Sequence, residues 1–147
     1  MNLSERLNDD MKQAMKSQDK FKLSVIRMVR SSIKNREIDL KRSLDDTEVL
    51  DILSREVKQR KDSLQEFEKA GRDDLVSDLA AEIEIISAYL PQQLNEEEIK
   101  VIVQQTIQET GASSKAEMGK VMAALMPKVK GRADGKLVNT IVQQFLQ

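Results

Sequence analysis

The chain has 147 residues, enough for one domain of ordinary size or two small ones. Its 24 Lys and Arg nearly balance 25 Asp and Glu, and 39% hydrophobic residues with 3% aromatics describe a core of Leu, Ile, Val, Ala and Met. Five Gly and two Pro are too few for an all-β sandwich. The absence of His and Cys excludes disulfides, Cys- or His-ligated metals, a Cys nucleophile and a Ser-His-Asp triad. The usual acid–base side chain near neutral pH is missing too. The first twenty residues are charged and lack the apolar stretch of a signal peptide, and no apolar run approaches the ~18 residues of a membrane span. These features predict a cytoplasmic, soluble, helical protein with no metal, no cofactor and no membrane, and a binding module rather than an enzyme.

Helical periodicity organises the chain. Asn2 with Glu5 has the form of a capping box, and Leu3, Leu7, Met11, Ala14 and Met15 follow at helix spacing. Ser17-Gln18-Asp19 interrupts the stripe. A second stripe starts at Phe21 and runs through Leu23, Ile26, Val29 and Ile33 as far as Leu40. Asp45 with Glu48 opens a third helix, whose face is Val49, Ile52, Leu53, Val57, Leu64 and Phe67. Between Val57 and Leu64 the stems of Arg60 and Lys61 cover apolar surface. Gly71 ends this helix, and Asp73 starts a fourth through Leu75, Leu79, Ile83, Ile86 and Leu90.

Leu90-Pro91-Gln92-Gln93-Leu94 is the strongest boundary, because Pro91 cannot continue a helix and biases Leu90 away from one. Asn95 with Glu98 caps the next helix, carrying Ile99, Ile102, Val103 and Ile107, which Thr110-Gly111 closes. Ser114 with Glu117 is read as the cap of a sixth helix through Met118, Met122 and Met126, ended by Pro127. Gly119 within it suggests a close helix contact. A loop over residues 128–136 leads to a last helix with Leu137, Val138, Ile141, Val142 and Phe145. The expected fold is all-α: a four-helix domain over 1–90, a linker over 91–94, and a three-helix tail domain over 95–147.

Charge is uneven. Residues 1–42 hold 11 basic and 6 acidic side chains, residues 43–94 hold 6 and 13, and residues 95–147 hold 7 and 6. In the tail, Lys128, Lys130, Arg132 and Lys136 share one loop with Gly131 and Gly135. Such a loop suits a phosphate, through close backbone approach, helix N–H groups and cations. It equally suits a solvated connector. It is not a P-loop: three residues rather than four separate Gly131 from Gly135-Lys136, and Leu137 stands where Ser or Thr should bind magnesium. Ser113-Ser114-Lys115 has the residue types of Ser–Ser–Lys amidases, but caps explain it better. Arg27, Arg30 and Lys34, with Arg55, Lys58, Arg60 and Lys61, either line a groove for phosphates or pair with nearby carboxylates. One Tyr and no Trp leave no stacking platform for single-stranded RNA.

Five runs together carry a resemblance over essentially the whole chain. Arg55-Glu56-Val57-Lys58-Gln59-Arg60-Lys61-Asp62-Ser63, Phe67-Glu68-Lys69-Ala70-Gly71-Arg72 and Tyr89-Leu90-Pro91 resemble YqeY-type proteins. Met118-Gly119-Lys120-Val121-Met122 and Lys130-Gly131-Arg132-Ala133-Asp134-Gly135-Lys136 are similar to the tail domain of the glutamine-dependent Asp/Glu-tRNA amidotransferase B subunit. The resemblance to this GatB/YqeY family implies an all-α fold and tRNA recognition by the tail. By position it implies RNA contacts at Lys120, Lys130, Arg132 and Lys136, to which the basic loop adds Lys128.

Three functional readings follow. The first is a tRNA-binding accessory module without its own active site, with tRNA, the tRNA amidotransferase or other tRNA-handling proteins as partners. The second is a component of glutamine-dependent carbon–nitrogen ligase activity, as the family label implies. The third is a helical interaction protein with no nucleic-acid role. The missing nucleophile, nucleotide loop and metal cluster favour the first over the second.

Overall fold

Local capping chemistry sets where the helices begin. In the computed structural model, which describes residues 1–146, Asn2, Asp45 and Asn95 each accept from the backbone N–H three residues on, at 2.8, 2.9 and 2.8 Å. Glu5, Glu48 and Glu98 return the bond to the cap's own N–H, so all three capping boxes form. The resulting helices are α1 (Leu3–Lys16), α2 (Lys20–Leu40), α3 (Asp46–Lys69), α4 (Asp73–Ser87), α5 (Glu96–Thr110), α6 (Met118–Val129) and α7 (Gly135–Phe145). A 3₁₀ turn over Lys115–Glu117 leads into α6, and the described residues hold no strand. The fold is all-α. None of these helices is long and apolar enough to cross a membrane.

The helices divide into two compact units, Met1–Leu90 and the chain from Pro91 onward. In the first unit α1, α3 and α4 all pack against α2. Leu7 from α1, Val25, Ile26, Val29 and Ile33 from α2, Val49, Leu53 and Val57 from α3 and Ile86 from α4 form the core. Leu3 N–H donates to Asp46 Oδ1 at 3.0 Å, which ties the start of α1 to the first turn of α3. Tyr89 closes the far end of α4. Its ring is buried, Arg6 lies 4.9 Å over the ring, and its hydroxyl donates to Asp10. Burial, then the bond to Asp10 and the charge of Asp10, push the phenol's ionisation well above its ordinary value.

The stretch between Val57 and Leu64 is built differently for its two cations. Arg60 is largely buried, bonded to Glu56 Oε2 at 2.6 Å and placed 3.8 Å from Glu82 of α4. Ser32 of α2 donates to the other oxygen of Glu56 at 2.9 Å. Breaking such a network from one side strands a buried charge. Lys61, expected to cover apolar surface there, is exposed.

In the second unit, Ile99 and Val103 of α5, Val121, Leu125 and Val129 of α6, and Val138, Ile141 and Val142 of α7 form a separate core. Three local expectations change here. Pro127 does not end α6, which runs on to Val129. The bond that Pro127 cannot donate belongs to the carbonyl of Ala123, an exposed residue that water can reach. Ser114 makes no side-chain cap; Ser113 instead meets Glu117 at 3.4 Å. Gly119 has no neighbour within 4 Å of where a Cβ would stand, so it marks no close helix contact.

The Asp45 cap carries an added clamp. Arg42 reaches Glu48 with both terminal nitrogens at 2.7 Å. That bond first, and the Asp45 backbone N–H second, hold the Glu48 carboxyl at about 2, below its ordinary 4.5. A depressed carboxyl stabilises the fold fully above its unfolded value and loses that contribution as pH falls toward 2. Arg42→Ala should move the Glu48 titration midpoint up toward its ordinary value in carboxyl NMR. An unmoved midpoint would assign the shift to the helix cap alone.

Candidate functional site

The tail cations come first because the sequence favours them. Lys128 lies in the last turn of α6, not in a loop. Its Nζ donates to the buried Thr106 Oγ1 at 3.0 Å and to Glu109 at 2.8 Å, both on α5. Arg132 turns back on its own unit: Nε donates to the Gln92 carbonyl at 3.3 Å and Nη1 to the Lys128 carbonyl at 3.4 Å. Leu94 N–H donates to the Arg132 carbonyl at 2.8 Å, and Gln93 reaches the Gly131 carbonyl at 2.8 Å. The 92–94 segment and the 131–132 loop are therefore stitched together. Lys120, Lys130 and Lys136 are exposed, with Lys120 on α6 and Lys136 in the first turn of α7.

The N-terminus of α7 is already occupied. Asp134 is its cap and accepts from Lys136 N–H at 3.0 Å. A carboxylate at that position takes the place a phosphate would need. Gly131 has φ +74°, which fits a turn requirement, whereas Gly135 begins the helix. Lys128 and Arg132 are thus held by contacts within the unit.

A different feature joins residues that the sequence presents separately. In the first unit an open groove of about 730 Å³ runs between α1 and α2. Leu7 and Ile33 form its floor, and Met11 and Met15 stand along the α1 side. Arg27, Arg30 and Lys34 line the α2 side. Met15 is 51% exposed, although its stripe reads as core in the sequence. The signal was present in two pieces: an apolar i, i+4 pair on α1 and cations at i, i+3 and i+7 on α2. Only the antiparallel hairpin brings them face to face. A second groove of about 630 Å³, between α2 and α3, includes Leu23 and Met28 in its lining, and its Arg60 is engaged by Glu56 and Glu82. Arg55 and Lys58 are exposed on α3 and line neither groove. Among the described residues, no three His, Cys, Asp or Glu side chains converge as a metal site.

The two kinds of tail lysine should separate in a denaturation series. Lys128→Ala removes a bond to a buried hydroxyl; discounted for its partial exposure, the loss is about 0.5–1 kcal/mol. Lys136→Ala should stay within about 0.5 kcal/mol of the parent. Equal urea midpoints for the two variants would show that the Lys128 tie contributes nothing.

Comparison with known proteins places this geometry in a family. The family described as Yqey-like protein matches residues 4–146. The protein named "Altered inheritance of mitochondria protein 41, mitochondrial" from Saccharomyces cerevisiae is 44% identical over 87 residues, covering 58% of this chain and 47% of the relative. The protein of the same name from Lachancea thermotolerans is 45% identical over 87 residues, covering 58% and 46%. That from Kluyveromyces lactis is 44% identical over 84 residues, covering 56% and 45%. The chain spans about half the length of these curated relatives.

These findings correct two expectations. The family's description and the relatives' names mention neither tRNA binding nor amide transfer, and those names point to mitochondrial inheritance, so the tRNA-binding accessory module and its carbon–nitrogen ligase alternative do not stand. The cytoplasmic assignment fails as well, because the relatives are mitochondrial proteins by name. The resemblance to YqeY-type proteins, in contrast, extends over nearly all of the sequence: the chain belongs to the YqeY-like family.

Proposed function

We infer that the chain is a non-catalytic protein-interaction module whose docking face is the α1–α2 groove of the first unit. One observation carries this reading: a concave surface with an apolar floor, exposed methionine and a cationic wall. Apolar surface left open beside fixed charge is what a partner's side chains need. Methionine adds adaptability, since its flexible, polarizable thioether fits varied apolar shapes.

The chemistry available elsewhere supports binding over catalysis. The sequence supplies no His and no Cys, so proton transfer near neutral pH and thiolate attack have no ordinary residue. The half-buried polar side chains serve the fold. Arg60 joins α3 to α4, Lys128 joins α6 to α5, and the Tyr89 hydroxyl is held by Asp10. The chain spans about half the length of the mitochondrial-inheritance proteins it matches, so the docking role is proposed for this chain and not for the whole of those relatives.

A photo-crosslinking residue installed in place of Met15, in the cell of origin, tests this. It should give one or a few discrete higher-mass products, and the same residue in place of the exposed Lys61 on α3 should not. Identical patterns from both positions, or no product from Met15, would remove the groove as a docking face.

A further inference from the structure

The two sides of the α1–α2 groove differ in chemistry, and that difference says what kind of protein fits. The α1 side and the floor are apolar: Leu7, Met11, Met15 and Ile33. The α2 side carries Arg27, Arg30 and Lys34, three cations over two helical turns. Among the described residues lining the groove, Glu37 is the one carboxylate. Its Oε2 is already the acceptor for Leu44 N–H at 3.1 Å. The lining thus carries three cations against one carboxylate, and a backbone N–H already engages that carboxylate.

Arg30 sharpens the point. Its Nη1 lies 2.9 Å from Met11 Sδ, so the guanidinium reaches from its own wall onto the apolar floor. A thioether is a weak acceptor. A carboxylate brought by an occupant would be a much stronger partner for a fork of N–H donors.

The geometry points to an acidic amphipathic α-helix of a partner protein as the occupant. Its apolar residues, at i and i+4, lie against Met11 and Met15, above the buried Leu7. Its carboxylates lie along one flank only, facing Arg27, Arg30 and Lys34. The groove runs from Ser4 to Met15 along α1, about 16 Å or three helical turns, which suits a helix laid lengthwise. A β-strand occupant has no sheet edge to join among the described residues. A bilayer is flat, whereas this apolar surface is the floor of a concavity. A second copy offers acidic α4, but the Ile83, Ile85 and Ile86 side chains of α4 are packed against its own core. This inference rests on the reading that the groove docks a protein and adds the chemistry of that partner.

The test uses the full chain and two fluorescein-labelled helical peptides of about 18 residues. Both carry the same Leu stripe; one has Glu along a single flank and the other has Lys there. Fluorescence anisotropy should show the Glu peptide binding at least about tenfold more tightly, with the preference shrinking at about 0.5 M salt. The triple variant Arg27→Glu, Arg30→Glu, Lys34→Glu, with its helicity and melting verified by circular dichroism, should reverse the preference. Undiminished binding of the Glu peptide to that variant would overturn the assignment. So would equal binding of both peptides to the parent chain. If Met11→Lys with Met15→Lys then abolished both equal interactions, the docking reading would survive and the acidic partner alone would fall. Competition of the Glu peptide by unlabelled chain forming dimers would replace the partner by a second copy and also overturn the assignment.

Discussion

Burial of Val25, Ile26, Val29 and Ile33 fixes the rotation of α2, and the first unit is arranged around that choice. These four side chains lie along one stripe at helix spacing. Turning them inward leaves the rest of the circumference to be shared between neighbours and water. Ser32 then faces Glu56 of α3, while Arg30 and Lys34 come up beside α1. Rotating α2 by one residue would move every one of these contacts by about 100°. The groove's charged wall is thus a by-product of the same packing that makes the core.

The distribution of cations follows a physical logic that composition hides. A nearly neutral chain has little long-range field, so each Lys or Arg acts over its immediate surroundings. Arg60 trades hydration for a short bond to Glu56 on its own helix and reaches Glu82 of α4 at 3.8 Å, while Lys128 bonds across to α5. Arg42 reinforces a helix start from the exposed surface. Arg132 satisfies carbonyls where a loop meets an extended segment. Arg27, Arg30 and Lys34 of α2 differ from these in lining a groove beside the exposed Met15.

Much of the fold was legible because helix ends are local. Asn2, Asp45 and Asn95, each with a Glu three residues later, announce helix starts without any knowledge of tertiary structure. Gly71 and Gly111, both at positive φ, mark turns just as locally. Pro127 misled because the cost of a missing hydrogen bond depends on whether the orphaned carbonyl sees water, and that is set by the bundle. Gly119 misled because a glycine in a helix does not say which way its surface faces. The candidate site was less legible. Lys128, Lys130, Arg132 and Lys136 cluster in sequence, yet two of them turn inward. Met11, Met15 and the α2 cations lie apart in sequence and meet only through the hairpin.

Tyr89 has an optical consequence. It is the chain's single Tyr, and the chain has no Trp. Its ring sits in the first unit, under Arg6 and with its hydroxyl bound to Asp10. Tyrosine emission therefore reports on the first unit alone, and the second unit, whose core holds no aromatic side chain, is silent in it. Agreement between a fluorescence melt and a circular dichroism melt is accordingly a direct measure of whether the two units lose structure together.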